Sequence, residues 1–516
     1  RQSPLQPFPK QPVHAIAAIT DSTVMVGIDG QGMWEMTNDG QKVLNIYKEE
    51  PDNPLSLKGN GVYDIFIDKQ KRVWVCTYSG GLSFFDQESA DVTQITHQIN
   101  ESNSLSNNNV NKIIEDSRGN IWFATNNGVS RWNVSTNSWR TYYQDVRDQA
   151  QVFLSLCEDV DGNIWAGTFS SGVYVFDGNS GREIAHYSST DGFSSLTNDY
   201  IFDIFKDSNG DLWLGSPLGQ PFRYIAKERR FIAYPFQPVY AITDLSPDNL
   251  LFACTYGLLM MDIYTGQTRT ILDGYILHDL VVAEDNIWMA TSGDGLVRYN
   301  LKDNTLEKFT TNEGLLSNYV NSILRAGKYL WLGTESGLCK FNTEEKNVEI
   351  FSSQPPFFNV SFNQNAALTL TNGQLIWGTS SGALMFEPEA VLFSPSKGRI
   401  YYQDIIISGR SLRNNPNFSL TSPLDKLQEI SLRYDQNTLT LEFLPIGAAS
   451  LSSKFAWKME GIDEEWTQPS GSRAITYASM PGGEYSLKIR MYDNSMKQII
   501  QERSLQIQIT PPWWKA

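Results

Sequence analysis

Asp116-Ser117-Arg118-Gly119-Asn120-Ile121-Trp122-Phe123-Ala124-Thr125 is one copy of a unit that recurs along this 516-residue chain. Asp159-Val160-Asp161-Gly162-Asn163-Ile164-Trp165-Ala166-Gly167-Thr168 and Asp207-Ser208-Asn209-Gly210-Asp211-Leu212-Trp213-Leu214-Gly215-Ser216 repeat it. Further copies centre on Trp74, Trp288 and Trp331, and weaker ones place Met25, Phe252 and Ile376 at the tryptophan position. The copies follow one another at about 36 to 49 residues, the period of a four-stranded propeller blade. Within a copy, Val110 to Glu115 reads as an inner strand, and Asp116 to Gly119 as a turn. There the Asp can cap the turn and the Gly supplies a positive φ. Ile121 to Thr125, Val129 to Trp132 and Ser138 to Tyr142 complete the blade.

The loops between copies also resemble one another: Ser104-Leu105-Ser106-Asn107-Asn108-Asn109-Val110 matches Gly314-Leu315-Leu316-Ser317-Asn318-Tyr319-Val320. Pro54 to Leu57 and Ser195 to Asn198 fit the same pattern. Such loops open onto a propeller face at the channel mouth. After Pro388 the period stops and cleanly alternating strands appear: Leu439, Leu441, Phe443; Tyr485, Leu487, Ile489, Met491; Leu505, Ile507, Ile509. Turn signals such as Met480-Pro481-Gly482-Gly483 separate them. That pattern predicts a β-sandwich of immunoglobulin or fibronectin type.

Composition agrees with an all-β, turn-dense, aromatic-packed chain: 12% aromatic and 19% charged, with 38 glycines and 22 prolines. The net charge of −16 argues against a nucleic-acid partner, which needs clustered Lys and Arg. Cys76 and Cys254 fall just before a Thr, in the small-residue slot held elsewhere by Ala124, Gly167, Gly215, Ala290, Gly333 and Gly378. With Cys157 and Cys339 inside strands and no CxxC pair, no zinc or redox motif is present, and no cofactor is expected. No apolar run is long enough to span a membrane. The start lacks signal-peptide character and reads as a processed or cut chain. The closing Pro511-Pro512-Trp513-Trp514 fits a membrane–water interface or the closure of a β core equally well.

Taken together, repeats of the form D-x-x-G-x-[IL]-W-x-G-T-x-x-G-[LV] followed by a sandwich resemble the periplasmic sensor region of hybrid two-component regulators from glycan-degrading bacteria. The repeats are similar to the regulator propeller repeat. Phe455 to Gly461, Glu465-Trp466, Pro481 to Tyr485 and Pro511 to Trp514 resemble the Tyr-rich module that follows it, and Gly382 to Pro388 resembles the exit from the propeller. Members of that family usually carry fourteen blades in two rings, whereas nine copies are counted in this chain. The expected organisation is therefore residues 1–104 as blades of an incomplete upstream propeller, 105–392 as a seven-bladed ring, and 393–516 as an Ig-like sandwich. A single ring of eight or nine blades is the alternative. The resemblance implies a periplasmic region of an inner-membrane protein, anchored by a helix beyond Ala516. It also implies an oligosaccharide ligand, a homodimer formed through the sandwich, and kinase and DNA-binding parts outside this chain.

Sugar recognition calls for aromatic platforms beside amide and Arg side chains at a propeller face. Candidate ligand contacts are Asn108, Tyr200, Arg223, Tyr240, Tyr256, Tyr275, Arg298 and Tyr319, with Tyr63, Phe153 and Arg325 also near inner strands or loop mouths. Two other classes stay open. The repeats also resemble those of propeller lyases that use histidine and metal, but His14, His97, His186 and His278 are scattered without ligand spacing. A sialidase Asp-box is absent, and Asp116, Asp159 and Asp207 recur as structural caps recur, so no catalytic residue and no metal site are expected. A propeller face that binds another protein is the third possibility.

Overall fold

The computed structural model describes residues 9–50, 56–68, 71–85, 92–99, 101–145, 152–192, 196–351, 357, 360–389, 398–414, 422–447, 453–492 and 499–511. These form almost only strands, gathered into nine blade-like sheets and two sheets of a sandwich. The pair Trp513-Trp514 lies outside the described residues.

Seven of the sheets make one ring. Their inner strands are Val110–Glu115, Phe153–Glu158, Asp203–Lys206, Val239–Ser246, Leu277–Ala283, Val320–Ala326 and Phe362–Thr369, numbered below as ring blades one to seven. Each is the innermost strand of an antiparallel four-stranded sheet. The seventh blade obtains its fourth strand from far upstream: Val92–Ile95 pairs with Gly382–Phe386, Ile95 facing Ala383 and Val92 facing Phe386. Asn363 then donates to the Val110 carbonyl, so the seventh inner strand meets the first and the circle closes. The ring thus draws on residues 92–95, ahead of the expected start at 105, and the strand that precedes the first blade completes the last one, tying the two ends of the ring together. Closure after seven blades also removes the single eight- or nine-bladed ring. Upstream, Val13–Tyr47 forms a four-stranded sheet and Val62–Phe85 a three-stranded one.

Why the repeat has its consensus is visible in the hydrogen bonds. Asp116 Oδ1 accepts from the Arg118 and Asn120 amides at 3.0 and 2.9 Å, while Oδ2 accepts from Trp122 Nε1 at 2.8 Å. Asp159 with Trp165, Asp207 with Trp213 and Asp68 with Trp74 repeat the clip at 2.9–3.0 Å. The turn acids are therefore structural caps, each fixing a turn and the tryptophan that fills space between blades. Gly119 completes the turn at φ 76°. Trp122 and Trp213 are fully buried, each worth about 3–5 kcal/mol on truncation to alanine.

The small-residue slot faces the neighbouring blade. A Cβ on Gly167 would lie 2.8 Å from the Ile201 carbonyl, and one on Gly378 2.5 Å from that of Val110. Threonine in the next position donates back across the turn, as Thr125 does to Gly128 and Thr334 to Gly337. In ring blade four the register differs from the sequence alignment by one residue. Cys254 pairs with Gly257 and Val239, as Thr125 pairs with Gly128 and Val110. Cys254 therefore stands in the threonine column, Ala253 in the small one, and Leu251 rather than Phe252 at the tryptophan position. The adjacent Thr255 disguises this.

The second unit of the chain contains the sandwich. One sheet runs Arg410–Ser411, Gly398–Ile407, Leu439–Gly447, Ala474–Tyr477; the other runs Glu429–Leu432, Ile499–Ile509, Gly483–Tyr492, Lys454–Glu460. Only Glu429–Leu432 pairs in parallel, with the last strand. The alternating residues named from the sequence all point inward: Leu441, Phe443, Leu487, Ile489, Leu505 and Ile507 are buried together. Tyr485, near the start of its strand, donates its hydroxyl to the Pro481 carbonyl at 2.9 Å. This is the tyrosine corner of Ig-like sandwiches.

Candidate functional site

Six inner strands of the ring begin with a fully buried apolar residue, Val110, Phe153, Val239, Leu277, Val320 and Phe362, and Ile201, two residues ahead of Asp203–Lys206, takes that place in ring blade three. In six of the seven blades the register with the second strand shifts just after this residue, setting the next one off from the regular ladder. The seven residues in that column are Asn111, Leu154, Phe202, Tyr240, His278, Asn321 and Asn363. They stand on one face of the ring. On this face the turn between second and third strands hydrogen-bonds to the entry of the inner strand, as in Asn126 N to Asn109 O and Ser380 N to Ser361 O. The acidic turns lie at the other end of the strands.

The column divides into two contiguous arcs. Leu154, Phe202 and Tyr240 are neighbours and carry no charge. Around them runs a chain of rings: Phe169 against Tyr200 at 5.1 Å, Tyr200 against Phe202 at 6.3 Å, Phe202 against Tyr240 at 5.6 Å, Tyr240 against His278 at 5.9 Å. The other four residues are polar, and each clips its blade to the next. Asn111 donates to Phe153 O, His278 to Val320 O, Asn321 to Phe362 O and Asn363 to Val110 O, at 2.7–3.2 Å. Between the arcs lies a cavity of about 370 Å³ lined by Asn109, Asn111, Asn126, Leu154, Phe202, Asn321, Ser361, Phe362, Asn363 and Gln364. An apolar wall opposite a wall of amides suits a ligand with one greasy face and many hydroxyls.

His278 is buried, which lowers its pKa and keeps the ring neutral. Its Nδ1 faces the Val320 carbonyl and so bears the hydrogen, leaving Nε2, 3.1 Å from Gln364 Nε2, as an acceptor. One residue deeper, Lys112 Nζ lies 3.0 Å from Asp203 and 2.8 Å from the Asn365 side-chain oxygen. Asp203 also accepts from the Ile242 amide, and Asp279 from that of Ile323. Burial, with Asp203 nearby, pushes Asp279 up to about 7.

Of the residues singled out from the sequence, Tyr200 and Tyr240 belong to the aromatic arc. Tyr256 and Tyr319 stand exposed on the same face, outside the cavity lining, at 64% and 48%. Tyr275 packs against the core of ring blades four and five with Lys308 over its ring. The remaining three serve the scaffold. Asn108 accepts from His97 N, and its own carbonyl accepts from Gly382 N, at the closing strand. Arg223 is held by Asp211 at 2.9 Å and donates to Ile263 of the next blade, over Trp213. Arg298 bridges Asn286 and Glu307. Phe169, Phe202 and the amides Asn111, Asn321, Asn363 and Gln364 escaped notice, and His278 was weighed only as a metal ligand. Aligning the seven inner strands on their buried first residue exposes all of these except Phe169 and Gln364. Among the described residues no group of three His, Cys, Asp or Glu side chains could hold a metal ion.

The fold is that of a β-propeller protein whose chain continues into an Ig-like sandwich. The particular repeats are those of the two-component regulator propeller family, matched at residues 56–79, 104–127, 148–170 and 195–217, and the sandwich carries a Y_Y_Y domain at 450–510. The chain is 23% identical over 498 residues to Histidine kinase P4 of Formosa agariphila, covering 94% of this chain. It spans about a third of that relative's length, 34%. Among solved structures it is similar to the extracellular domain of a one component system of B. thetaiotaomicron, BT4673, at 20% identity and TM-score 0.50. The match covers 98% of this chain and 70% of the other. A second structure of that domain, described as belonging to a hybrid two component system, aligns at 21% identity with TM-score 0.49 and the same coverage. Among the described residues no helix is long and apolar enough to cross a membrane.

Proposed function

We propose that this chain is the ligand-sensing periplasmic region of a membrane-bound hybrid histidine kinase and response regulator, and that it binds an oligosaccharide reversibly at the ring mouth. The carrying observation is one cavity with Leu154 and Phe202 on one side, the latter joined to the ring chain that runs through Tyr200 and Tyr240, and the amides of Asn111, Asn321 and Asn363 on the other. Sugar rings offer an apolar face to aromatic side chains and hydroxyls to amides, so each arc has a counterpart on the ligand. The similarity to a histidine kinase supports the signalling role. The sandwich then relays the change as part of a homodimer near the inner membrane, and the downstream targets are genes for glycan use. Ligand shifts the dimer only by as much as its affinity differs between two arrangements.

Turnover is not part of this role. The carboxyl groups in the channel one residue below the mouth column, Asp203 and Asp279, already accept from neighbouring backbone amides. Glycoside hydrolysis would need a pair of carboxyl groups flanking the scissile bond. Calorimetric titration of this chain with plant and host oligosaccharides, followed by chromatography of each mixture, tests the reading. Binding with the sugar intact is expected; cleaved sugar, or heat from none of the panel, would overturn it.

A further inference from the structure

The atoms that the amide arc leaves over narrow the ligand further, on the reading of the mouth as a sugar site. A backbone carbonyl can only accept, so each clip fixes which end of the side-chain amide faces inward to the protein. Asn111 spends both amide hydrogens, on Phe153 O and on Asn126 Oδ1. Asn363 spends both on Val110 O and Asn109 Oδ1. Asn321 spends one on Phe362 O. What Asn111 and Asn363 retain for a ligand is their side-chain oxygen. His278 adds a neutral imidazole whose hydrogen is also committed.

Among the described residues that line the cavity, no side chain carries a charge. The ammonium below it, Lys112, is occupied by Asp203 and Asn365. With Asp279 at the same depth, the channel under the mouth holds two carboxyl groups against one cation. A carboxylate or sulfate presents only acceptors, so it could use the amide hydrogens of Asn109 and Asn126 but would leave the oxygens of Asn111 and Asn363 unmatched. It would also surrender hydration without finding a counter-charge, and a buried unpaired charge is strongly disfavoured. A hydroxyl, by contrast, can donate to those oxygens and accept from the free amide hydrogens of Asn109 and Asn126.

We infer that the ring mouth selects an uncharged, hydroxyl-rich oligosaccharide and discriminates against uronate-bearing and sulfated ones. The selectivity comes from the acceptor oxygens that the clips leave facing the cavity and from a lining whose described residues are all uncharged. Leu154 is the place where it could be reversed, because it lines the cavity in the apolar arc and takes part in none of the clips.

The test is calorimetric titration of this chain with neutral hexose and pentose tri- to hexasaccharides and with uronate-containing and sulfated oligosaccharides of equal length. Each is run at low and high sodium chloride. The expected result is that the tightest binder is neutral, unaffected by salt, and at least tenfold tighter than any acidic counterpart. In Leu154→Lys, with its melting temperature confirmed, the gap between acidic and neutral sugars should narrow severalfold. Acidic sugars binding as tightly as neutral ones in the unmodified chain, with affinity falling as salt rises, would overturn the selectivity while leaving sugar binding intact. Heat from neither class would overturn the sugar site itself and this inference with it.

Discussion

Replacing Asp116 by alanine strips one turn of its cap and one tryptophan of its partner in a single step. The carboxylate accepts from the Arg118 and Asn120 amides, from the Asn120 side chain and from Trp122 Nε1, all within 2.8–3.1 Å. Asp116, Asn120 and Trp122 are buried, at 3%, 1% and 0% exposure. Three donors are thus orphaned where water has little access, and each unsatisfied buried donor costs about 1–3 kcal/mol. Allowing for water entering the space vacated, the loss should be about 4 kcal/mol, a large share of the stability of a typical domain. Urea denaturation followed by tryptophan fluorescence measures it, read from the transition of the ring. Asp161→Ala is the control: that residue sits exposed in the equivalent turn of the next blade and should change stability by no more than about 0.5 kcal/mol. Asp116→Asn should fall between the two, since it can still cap the turn but turns hydrogens toward other donors. A loss below about 1 kcal/mol for Asp116→Ala would refute the view that the turn acids hold the blades, and would return them to candidates for chemistry.

Other consequences follow from particular groups. Tyr485→Phe should cost the sandwich about 1 kcal/mol by removing one hydrogen bond to Pro481 O, measured as a lower urea midpoint. Asp279 has a folded pKa raised to about 7 from 3.8. Its unfolded form therefore releases the proton first, and its contribution to stability is lost as pH climbs from about 4 through 7. Asp279→Asn should accordingly gain melting temperature relative to the unmodified chain between pH 5 and pH 8; a gap that shrinks with rising pH would contradict the burial argument. Phe202→Ala should weaken the best oligosaccharide at least tenfold in calorimetry, with a much smaller change in melting temperature than Asp116→Ala.

Much of this architecture is written in the repeat itself. The columns that make blades (aspartate, glycine, tryptophan, small residue, threonine) are under the same packing demand in many blades, so they recur and can be seen. The residues of the mouth are under the opposite demand. Asn111, Leu154, Phe202, Tyr240, His278, Asn321 and Asn363 occupy one column but change from clipping amides to apolar and aromatic side chains around the ring, so no single residue type marks the column in sequence. Their function shows only once the column is recognised by the buried residue before it. Arg223 and Arg298 misled for a related reason: an arginine near an inter-blade tryptophan looks free in sequence, yet both are consumed by carboxylate or amide partners of their own blade. The closing strand Val92–Ile95 was hidden because its partner lies almost the whole ring away in sequence. In ring blade four, Thr255 imitates the conserved threonine one position late, and only the strand register separates it from Cys254.

The most direct test of the central claim is hydrogen–deuterium exchange of this chain with and without a saturating neutral oligosaccharide that binds in calorimetry. Slowed exchange should appear in peptides spanning Asn109–Asn111, Asn126, Tyr200–Phe202, Tyr240 and Ser361–Gln364, the segments that meet at the mouth. Protection confined to residues 13–85 or to the sandwich, with the mouth unchanged, would contradict it.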